Sequence, residues 1–371
     1  MGIYFHIPFC KKKCTYCDFH FSTNYRPYYH EMITSMTQEL EMKKDRINSN
    51  IESVYFGGGT PGLLKSEDIK GFIDLCRKNF PLIEAEITLE VNPENVTKKN
   101  LKDWKEAGIN RLSIGVQSFD NEVLKWMNRS HNSKQSMDAI YFASEEGFEQ
   151  INIDIIFALP QKDSFYWKKQ LKHIESLPIS HLSAYQLTFE KKTLLFHQYK
   201  EKLVYPLEDE ETRNQFLFTH EFLENIGFEQ YEISNYAKNN SYSKHNSSYW
   251  MGKEYLGIGP SAHSFHFPYR FWNIKNNRTY INSIKNRSIP EEAEKLSVSE
   301  TFNENIMLGL RTKWGVDINE LKKIKPLSFS FLETIDCYQK QKLLKIENEK
   351  IILTLEGWLL TDKISSDLFC D

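Results

Sequence analysis

The stretch that decides the fold is GIYFHIPFCKKKCTYCDF, residues 2–19, in which a short apolar run leads into three closely spaced cysteines. The run Gly2–His6 is rich in β-branched and aromatic residues, which favour a strand. Similar runs recur up to about residue 190, separated by segments with helical periodicity. This alternation predicts repeated βα units around a parallel sheet. The other predicted strands are Ser53–Phe56, Glu86–Val91, Arg111–Val116, Ile151–Phe157 and His181–Leu187.

The segments between these strands predict helices, and glycines at 108 and 147 stand where two of them should end. A G-x-G-x-x-G phosphate motif does not follow the first strand, which argues against a Rossmann sheet. We therefore predict an α/β fold built on a partial (β/α)6 barrel. The predicted helices are Pro27–Lys44, Ser66–Lys78, Thr97–Ala107, Lys134–Glu146 and Phe165–Glu175.

Three regions are predicted along the chain. Residues 1–190 form the partial barrel. Residues 191–298 lack clean periodicity, are rich in Tyr, Asn and His, and are expected to cover the open side of the barrel. Residues 299–371 predict a C-terminal α+β domain of the winged-helix type, because a helical pattern is followed by strand, turn and strand.

Composition narrows the classes of function. The chain has 371 residues, 47 basic and 50 acidic side chains and a net charge of −3, which predicts no overall basic surface for nucleic acid, so any partner is expected to be recognised locally. Residues 299–371 carry 10 basic and 12 acidic side chains, so the winged-helix-like region is not expected to bind DNA. No integral membrane segment and no export signal are predicted, which places the protein in the cytoplasm.

Cys10, Cys14 and Cys17 form a C-x3-C-x2-C triplet directly after the first predicted strand. Structural zinc takes four protein ligands, whereas a [4Fe-4S] cluster held by three thiolates leaves one iron open to another ligand. The triplet therefore predicts a [4Fe-4S] cluster. A zinc site completed by His20 or His6 remains the alternative.

The triplet and its place after the first strand resemble the signature of the radical S-adenosylmethionine enzymes. The resemblance implies that the open iron binds S-adenosylmethionine, and that an electron from the reduced cluster cleaves its carbon–sulfur bond to give a 5′-deoxyadenosyl radical.

Further candidate residues follow other predicted strands, where the functional groups of such barrels gather. They include the run Gly57-Gly58-Gly59-Thr60-Pro61, then Glu90, Gln117 and Asp154. Asp154 interrupts the apolar strand INIDIIFALP, and a buried carboxylate needs a partner.

The motifs YFGGGTP, LEVNPE, RLSIGVQSF, MNRSH and NIDIIFALP also resemble, in order, those of one family. It comprises the oxygen-independent coproporphyrinogen III oxidases and the heme chaperones related to them. This resemblance implies contacts with S-adenosylmethionine by Tyr4, Gly58, Gly59, Thr60, Glu90, Gln117, Arg129 and Asp154.

Three features favour the chaperone branch of this family. Phe19 stands where the oxidases carry a fourth cysteine, and the chain begins three residues before Tyr4, without the N-terminal extension of the oxidases. HNSSYW, residues 245–250, matches the H-N-x-x-Y-W motif of the chaperones. His245 is accordingly the heme-ligand candidate, since imidazole binds heme iron and Tyr and Trp offer flat faces. Ligation by His263 or His266, or a covalent link, remains open.

The resemblance therefore predicts a heme chaperone that transfers heme to an acceptor protein. Anaerobic decarboxylation of coproporphyrinogen III is the alternative, and a radical enzyme with another substrate is a third possibility. Whether the chain is an enzyme is left open. Lys11, Lys12 and Lys13 add positive charge beside the cysteines, which would suit a flavodoxin-type electron donor.

Overall fold

The computed structural model describes residues 1–47 and 49–370, and within them one large sheet positions the candidate site. The strands are β1 (Gly2–Ile7), β2 (Ile51–Gly58), β3 (Leu82–Val91), β4 (Arg111–Gln117), β5 (Gln150–Phe157), β6 (His181–Gln186), β7 (Glu229–Gln230), β8 (Asn235–Ala237), β9 (Tyr255–Ile258), β10 (His263–His266), β11 (Tyr269–Asn273), β12 (Glu291–Lys295), β13 (Val316–Asp317), β14 (Leu344–Glu347) and β15 (Lys350–Leu353). The large sheet has the order β12-β11-β10-β9-β1-β2-β3-β4-β5-β6-β8-β7.

The helices lie mostly between the strands. They are α1 (Tyr29–Lys43), α2 (Ser66–Asn79), α3 (Lys98–Ala107), α4 (Asn121–Trp126), α5 (Ser133–Glu145), α6 (Ser164–Lys172), α7 (Leu194–Lys200), α8 (Asp209–Asn225), α9 (Lys244–Trp250), α10 (Asn277–Lys285), α11 (Val298–Gly309), α12 (Ile318–Ile324), α13 (Phe329–Lys340), α14 (Leu355–Trp358) and α15 (Thr361–Asp367). Gly108 ends α3 with a φ of 108°, a left-handed conformation that glycine adopts without a Cβ clash.

The side chains of β1 alternate between the hydrophobic core on one face of the sheet and polar surroundings on the other. Ile3, Phe5 and Ile7 are fully buried in the main hydrophobic core, whereas Tyr4 and His6 project from the opposite face of the strand. β1 to β6 pair in parallel, with β9 parallel to β1 on its other side. The carboxyl ends of six consecutive strands therefore meet at one edge of the sheet.

The predicted fold class is confirmed. All six predicted strands are present, and the parallel sheet remains open because antiparallel strands flank it on both sides. The C-terminal region has α11 to α15 around a small antiparallel sheet of order β13-β15-β14, as a winged-helix-like domain requires. Strands from residues 191–298 extend both edges of the large sheet, so the boundary at residue 190 stays a prediction.

No helix within residues 1–47 and 49–370 is long and apolar enough to cross a bilayer.

Candidate functional site

The three cysteines of the triplet lie on a loop that leaves the carboxyl end of β1. Two backbone hydrogen bonds close its base: Cys10 N–H donates to Ser22 O at 3.1 Å, and Ser22 N–H donates to Pro8 O at 2.9 Å. All three thiols line a cavity of about 960 Å³ at the carboxyl edge of the parallel sheet. The loop thus presents Cys10, Cys14 and Cys17 to one space.

These thiols do not form a chelating site for a single ion. In the described ranges, no set of three or more His, Cys, Asp or Glu side chains is close enough to hold one metal ion. His6, part of the zinc alternative, has its Nε2 2.8 Å from His20 O. In a cubane cluster held by three cysteines, each thiolate would bind a different iron. Burial raises the pKa of the Cys10 thiol to about 12 and that of Cys17 to about 11, so metal binding must displace protons.

Arg129 connects the cysteine loop to the strand ends. Its Nη1 donates to Cys14 Sγ at 3.4 Å, while its Nη2 donates to Asn92 Oδ1 at 2.7 Å and to Gly115 O at 2.8 Å. Nε is buried without a partner among the described residues. A buried unsatisfied donor in a cavity wall fits a ligand carboxylate, which guanidinium binds well.

Gly115 leaves room for the two side chains beside it. A Cβ at this position would lie 2.9 Å from Gln117 Nε2 and 3.2 Å from Arg129 Nη2. Gln117 itself adopts a left-handed conformation, with φ of 68°, where the register of β4 and β5 shifts. Glycine here therefore lets both polar side chains enter the cavity.

Two carboxylates face the cavity from β3 and β5, the strands on either side of β4. Glu90 accepts from Tyr55 OH at 2.8 Å and from Gly58 N–H at 3.2 Å, and Asp154 accepts from Asn152 Nδ2 at 2.8 Å. Burial, followed by the charge of Asp154, raises the pKa of Glu90 to about 7. Burial also raises the pKa of Asp154. The pair is suited to bind a cationic amine or hydroxyl groups.

The glycine run after β2 lies against the cysteine loop. Gly59 N–H donates to Ile7 O at 2.9 Å and Thr60 N–H to Phe9 O at 2.7 Å. A Cβ on Gly59 would lie 2.5 Å from Phe9 O, so only glycine allows this approach. Thr60 Oγ1 lies 3.6 Å from Cys10 Sγ and donates to it.

The polar groups that hold these residues are not among the contacts predicted from the sequence. Asn92 contacts both Arg129 and Thr60, and Asn152 donates to Ser113 Oγ at 2.8 Å as well as to Asp154. Asn152 and Asp154 are two residues apart on β5 and so share a face. That alternation was the available signal.

Two predicted site residues lie away from this cavity. Tyr4, whose hydroxyl is 3.4 Å from His6 Nδ1, lines a second cavity. His245 lies on α9 near the amino ends of β1 and β2, where its Nδ1 is 2.8 Å from Ser53 Oγ and its Nε2 is 2.8 Å from Tyr249 OH. Its side chain is 1% exposed, and both ring nitrogens are engaged. Heme ligation by His245 stays a prediction, and it would require breaking one of these bonds.

Comparison with known proteins gives two matching family models: the Radical SAM superfamily over residues 4–164 and the HemN C-terminal domain over residues 296–360. The Heme chaperone HemW of Bacillus subtilis (strain 168) is 30% identical over 367 residues, which cover 97% of this chain and 97% of the relative. The chain belongs to the HemW family.

Relatives outside bacteria are also similar to this HemW family member. Radical S-adenosyl methionine domain-containing protein 1, mitochondrial, of Danio rerio is 32% identical over 98% of this chain and 85% of the relative. Among solved structures, coproporphyrinogen III oxidase (HemN) from Escherichia coli matches with a TM-score of 0.84 and 23% identity, covering 99% of this chain and 89% of that chain. This last likeness establishes the shared fold.

Proposed function

We propose that the chain is a heme chaperone, which binds heme and transfers it to an acceptor protein. The observation that carries this proposal is similarity over nearly the whole length to proteins named heme chaperone HemW. Phe19 adds support. Its side chain is 64% exposed and lines both cavities, at the position where the oxidases are expected to carry a cysteine.

The proposal includes a [4Fe-4S] cluster on Cys10, Cys14 and Cys17, with S-adenosylmethionine beside it. When bound and reduced, the cluster supplies the electron that cleaves the carbon–sulfur bond of S-adenosylmethionine. Seven of the predicted contacts line the same cavity and would hold this molecule. They are Gly58, Gly59, Thr60, Glu90, Gln117, Arg129 and Asp154.

The chain's own groups have separate tasks in this arrangement. Arg129 holds Cys14 in place and offers its unpaired Nε to a carboxylate. Glu90 and Asp154 would accept hydrogen bonds from amino or hydroxyl groups of the ligand, because both carboxylates line the cavity and have several acceptor sites. Gly58 N–H orients Glu90.

The second candidate function is that of an oxygen-independent coproporphyrinogen III oxidase. The shared fold with the Escherichia coli oxidase and a cavity that holds the cofactor candidates favour it. The chaperone proposal is preferred because the curated relatives at 30% identity carry that name.

Anaerobic turnover separates the two functions. The reconstituted and reduced protein is incubated with S-adenosylmethionine and coproporphyrinogen III, and the porphyrin products are quantified after oxidation. Multiple turnovers to protoporphyrinogen IX would overturn the chaperone proposal. Protein with a full cluster that forms no product, and that passes stoichiometrically bound heme to an apo-hemoprotein, would support it.

The remaining parts of the proposal concern partners and location. The acceptor is a heme protein, and a flavodoxin-type donor would approach Lys11, Lys12 and Lys13, which are exposed beside the cysteine loop. A cytoplasmic location is supported by the use of the cysteines, since three of the six have the spacing of cluster ligands, and a reducing compartment keeps such thiols available.

A further inference from the structure

A second cavity, of about 780 Å³, lies next to the one that holds the cysteines. It lies between the large sheet and the C-terminal domain, and residues of α9 and α11 form part of its wall. Asp18 and Phe19 line both cavities. Its volume falls within the range of about 300–1,000 Å³ that is usual for small-molecule sites.

One face of the sheet forms the floor of this second cavity. Paired residues in neighbouring strands lie on the same face, and Phe265 pairs with Tyr255 on one side and with Arg270 on the other. His263, two residues before Phe265, shares that face. Tyr4 of β1 joins this floor through its pairing with Gly257. The floor is thus aromatic, with two histidines, His6 and His263, and one arginine. Both ring nitrogens of His6 are engaged, by Tyr4 OH and by His20 O.

Aromatic side chains also close the cavity from other directions. Tyr249 and Trp250 lie at the end of α9, and Phe19 enters from the cysteine loop. Flat aromatic walls of this kind suit a large planar ligand.

His263 has the properties of an available iron ligand. Its side chain is exposed to the cavity, and neither ring nitrogen makes a hydrogen bond with a residue in the described part of the chain. Burial, followed by the charges of Lys275 and Arg270, lowers its pKa, so the imidazole is neutral at neutral pH. A neutral imidazole is the form that binds iron.

Positive charge lies beside this histidine. Lys275 lines the cavity and has no hydrogen bond or ion pair with any residue in the described ranges. Arg270 is paired with Glu304 of α11. Lys275 is therefore the cation that remains available for a ligand carboxylate.

We propose that this second cavity is the heme site, with His263 as the axial ligand to iron and Lys275 as the partner of a propionate. The inference rests on the proposed function, because it assigns the place where the heme is held. This placement separates the heme from the cysteines, with Phe19 between them.

His245 acts in this scheme as a positioning residue. Its Nε2 lies 2.8 Å from the hydroxyl of Tyr249, whose ring lines the cavity, and its ring packs against Tyr55 at a centroid distance of 4.8 Å. The histidine of the H-N-x-x-Y-W motif thus acts on heme through Tyr249.

The test is a hemin titration of the full-length protein, followed by Soret absorption and electron paramagnetic resonance. His263→Gly is expected to shift the Soret band and lose the imidazole signature, and added imidazole should restore both. His266→Ala is the matched control. It lies on the same strand but on the opposite face, where its ring pairs with Glu254 at 2.9 Å. This variant should have the wild-type spectrum.

His245→Leu distinguishes a ligand from a positioning residue. It should weaken hemin affinity about tenfold, as losses of supporting contacts around a metal site do, and keep the imidazole signature. A wild-type spectrum in His263→Gly, or loss of the signature in His245→Leu with His263 intact, would overturn the assignment. Wild-type protein that fails to bind hemin stoichiometrically would instead refute the proposed function, and this is measured before any variant.

Discussion

Replacing Glu90 by Gln is expected to stabilise the ligand-free protein at pH 8 while weakening its binding of S-adenosylmethionine. The carboxylate lies in the cavity beside Asp154, and burial together with that neighbouring charge raises its pKa from 4.5 to about 7. The folded protein therefore binds a proton more tightly than the unfolded chain. Stability contributed by this group falls as the pH rises from about 4.5 to about 7, and stays low above that.

The size of the effect follows from the two pKa values. A difference of about 2.5 between them corresponds to about 3 kcal/mol at pH 8, since each pKa unit is worth about 1.36 kcal/mol. The amide keeps one acceptor for Tyr55 OH and loses the bond from Gly58 N–H, at a cost of about 1 kcal/mol. The expected net gain at pH 8 is therefore about 2 kcal/mol.

Urea unfolding of the cluster-free protein at pH 5 and pH 8 measures this gain, and the exposed Glu122→Gln is the control. The variant should have a flatter dependence of unfolding free energy on pH than the wild type, whereas the control should follow the wild type. A Glu90→Gln protein that is less stable at pH 8, or that keeps the wild-type slope, would refute the reasoning. Calorimetric titration of the reconstituted protein should show weaker binding of S-adenosylmethionine.

Three further outcomes are expected. Cys14→Ala should lack the charge-transfer absorption of the cluster after anaerobic reconstitution, and full iron and sulfide content would contradict the assignment. Arg129→Lys keeps the charge but loses the planar guanidinium that contacts Asn92 and Gly115. Calorimetry should show that this variant binds S-adenosylmethionine about tenfold more weakly. An unchanged affinity would exclude Arg129 as a contact of S-adenosylmethionine. Tyr280→Phe removes a 2.5 Å bond to buried Glu39 and should lower the unfolding free energy in urea by about 1.5–3 kcal/mol, and an unchanged midpoint would show that the bond adds no stability.

The parallel strands were predictable because each follows a local rule. The sequence of β5 alone shows the two-residue period of a strand. One face has Ile151, Ile153 and Ile155, and the other has Asn152 and Asp154. The cysteine triplet was predictable for the same reason, because its three residues lie close together in the sequence. Seven residues predicted from family motifs line the same cavity as the cysteines because the carboxyl ends of parallel strands meet at one edge.

The strands that flank the six parallel strands were missed because nothing local specifies them. β9 is four residues long, and its pairing with β1 joins residues about 250 apart in sequence. The segment before His245 is polar and reads as a loop, yet the carboxylate of Glu86 accepts from the backbone N–H groups of Lys244 and His245 and caps α9. This distant cap has no signature in the helix itself, unlike the local N-cap Ser243, whose Oγ accepts from Asn246 N–H at 3.3 Å.

Phe19, shared by the two cavities, has a thermodynamic consequence. A ligand that prefers one position of this ring in the first cavity changes the affinity of the second cavity by some factor. Reciprocity then requires a ligand in the second cavity to change the affinity of the first by the same factor. If the ring couples the two cavities in this way, cluster loading and release of the bound ligand would change each other's free energies by the same amount.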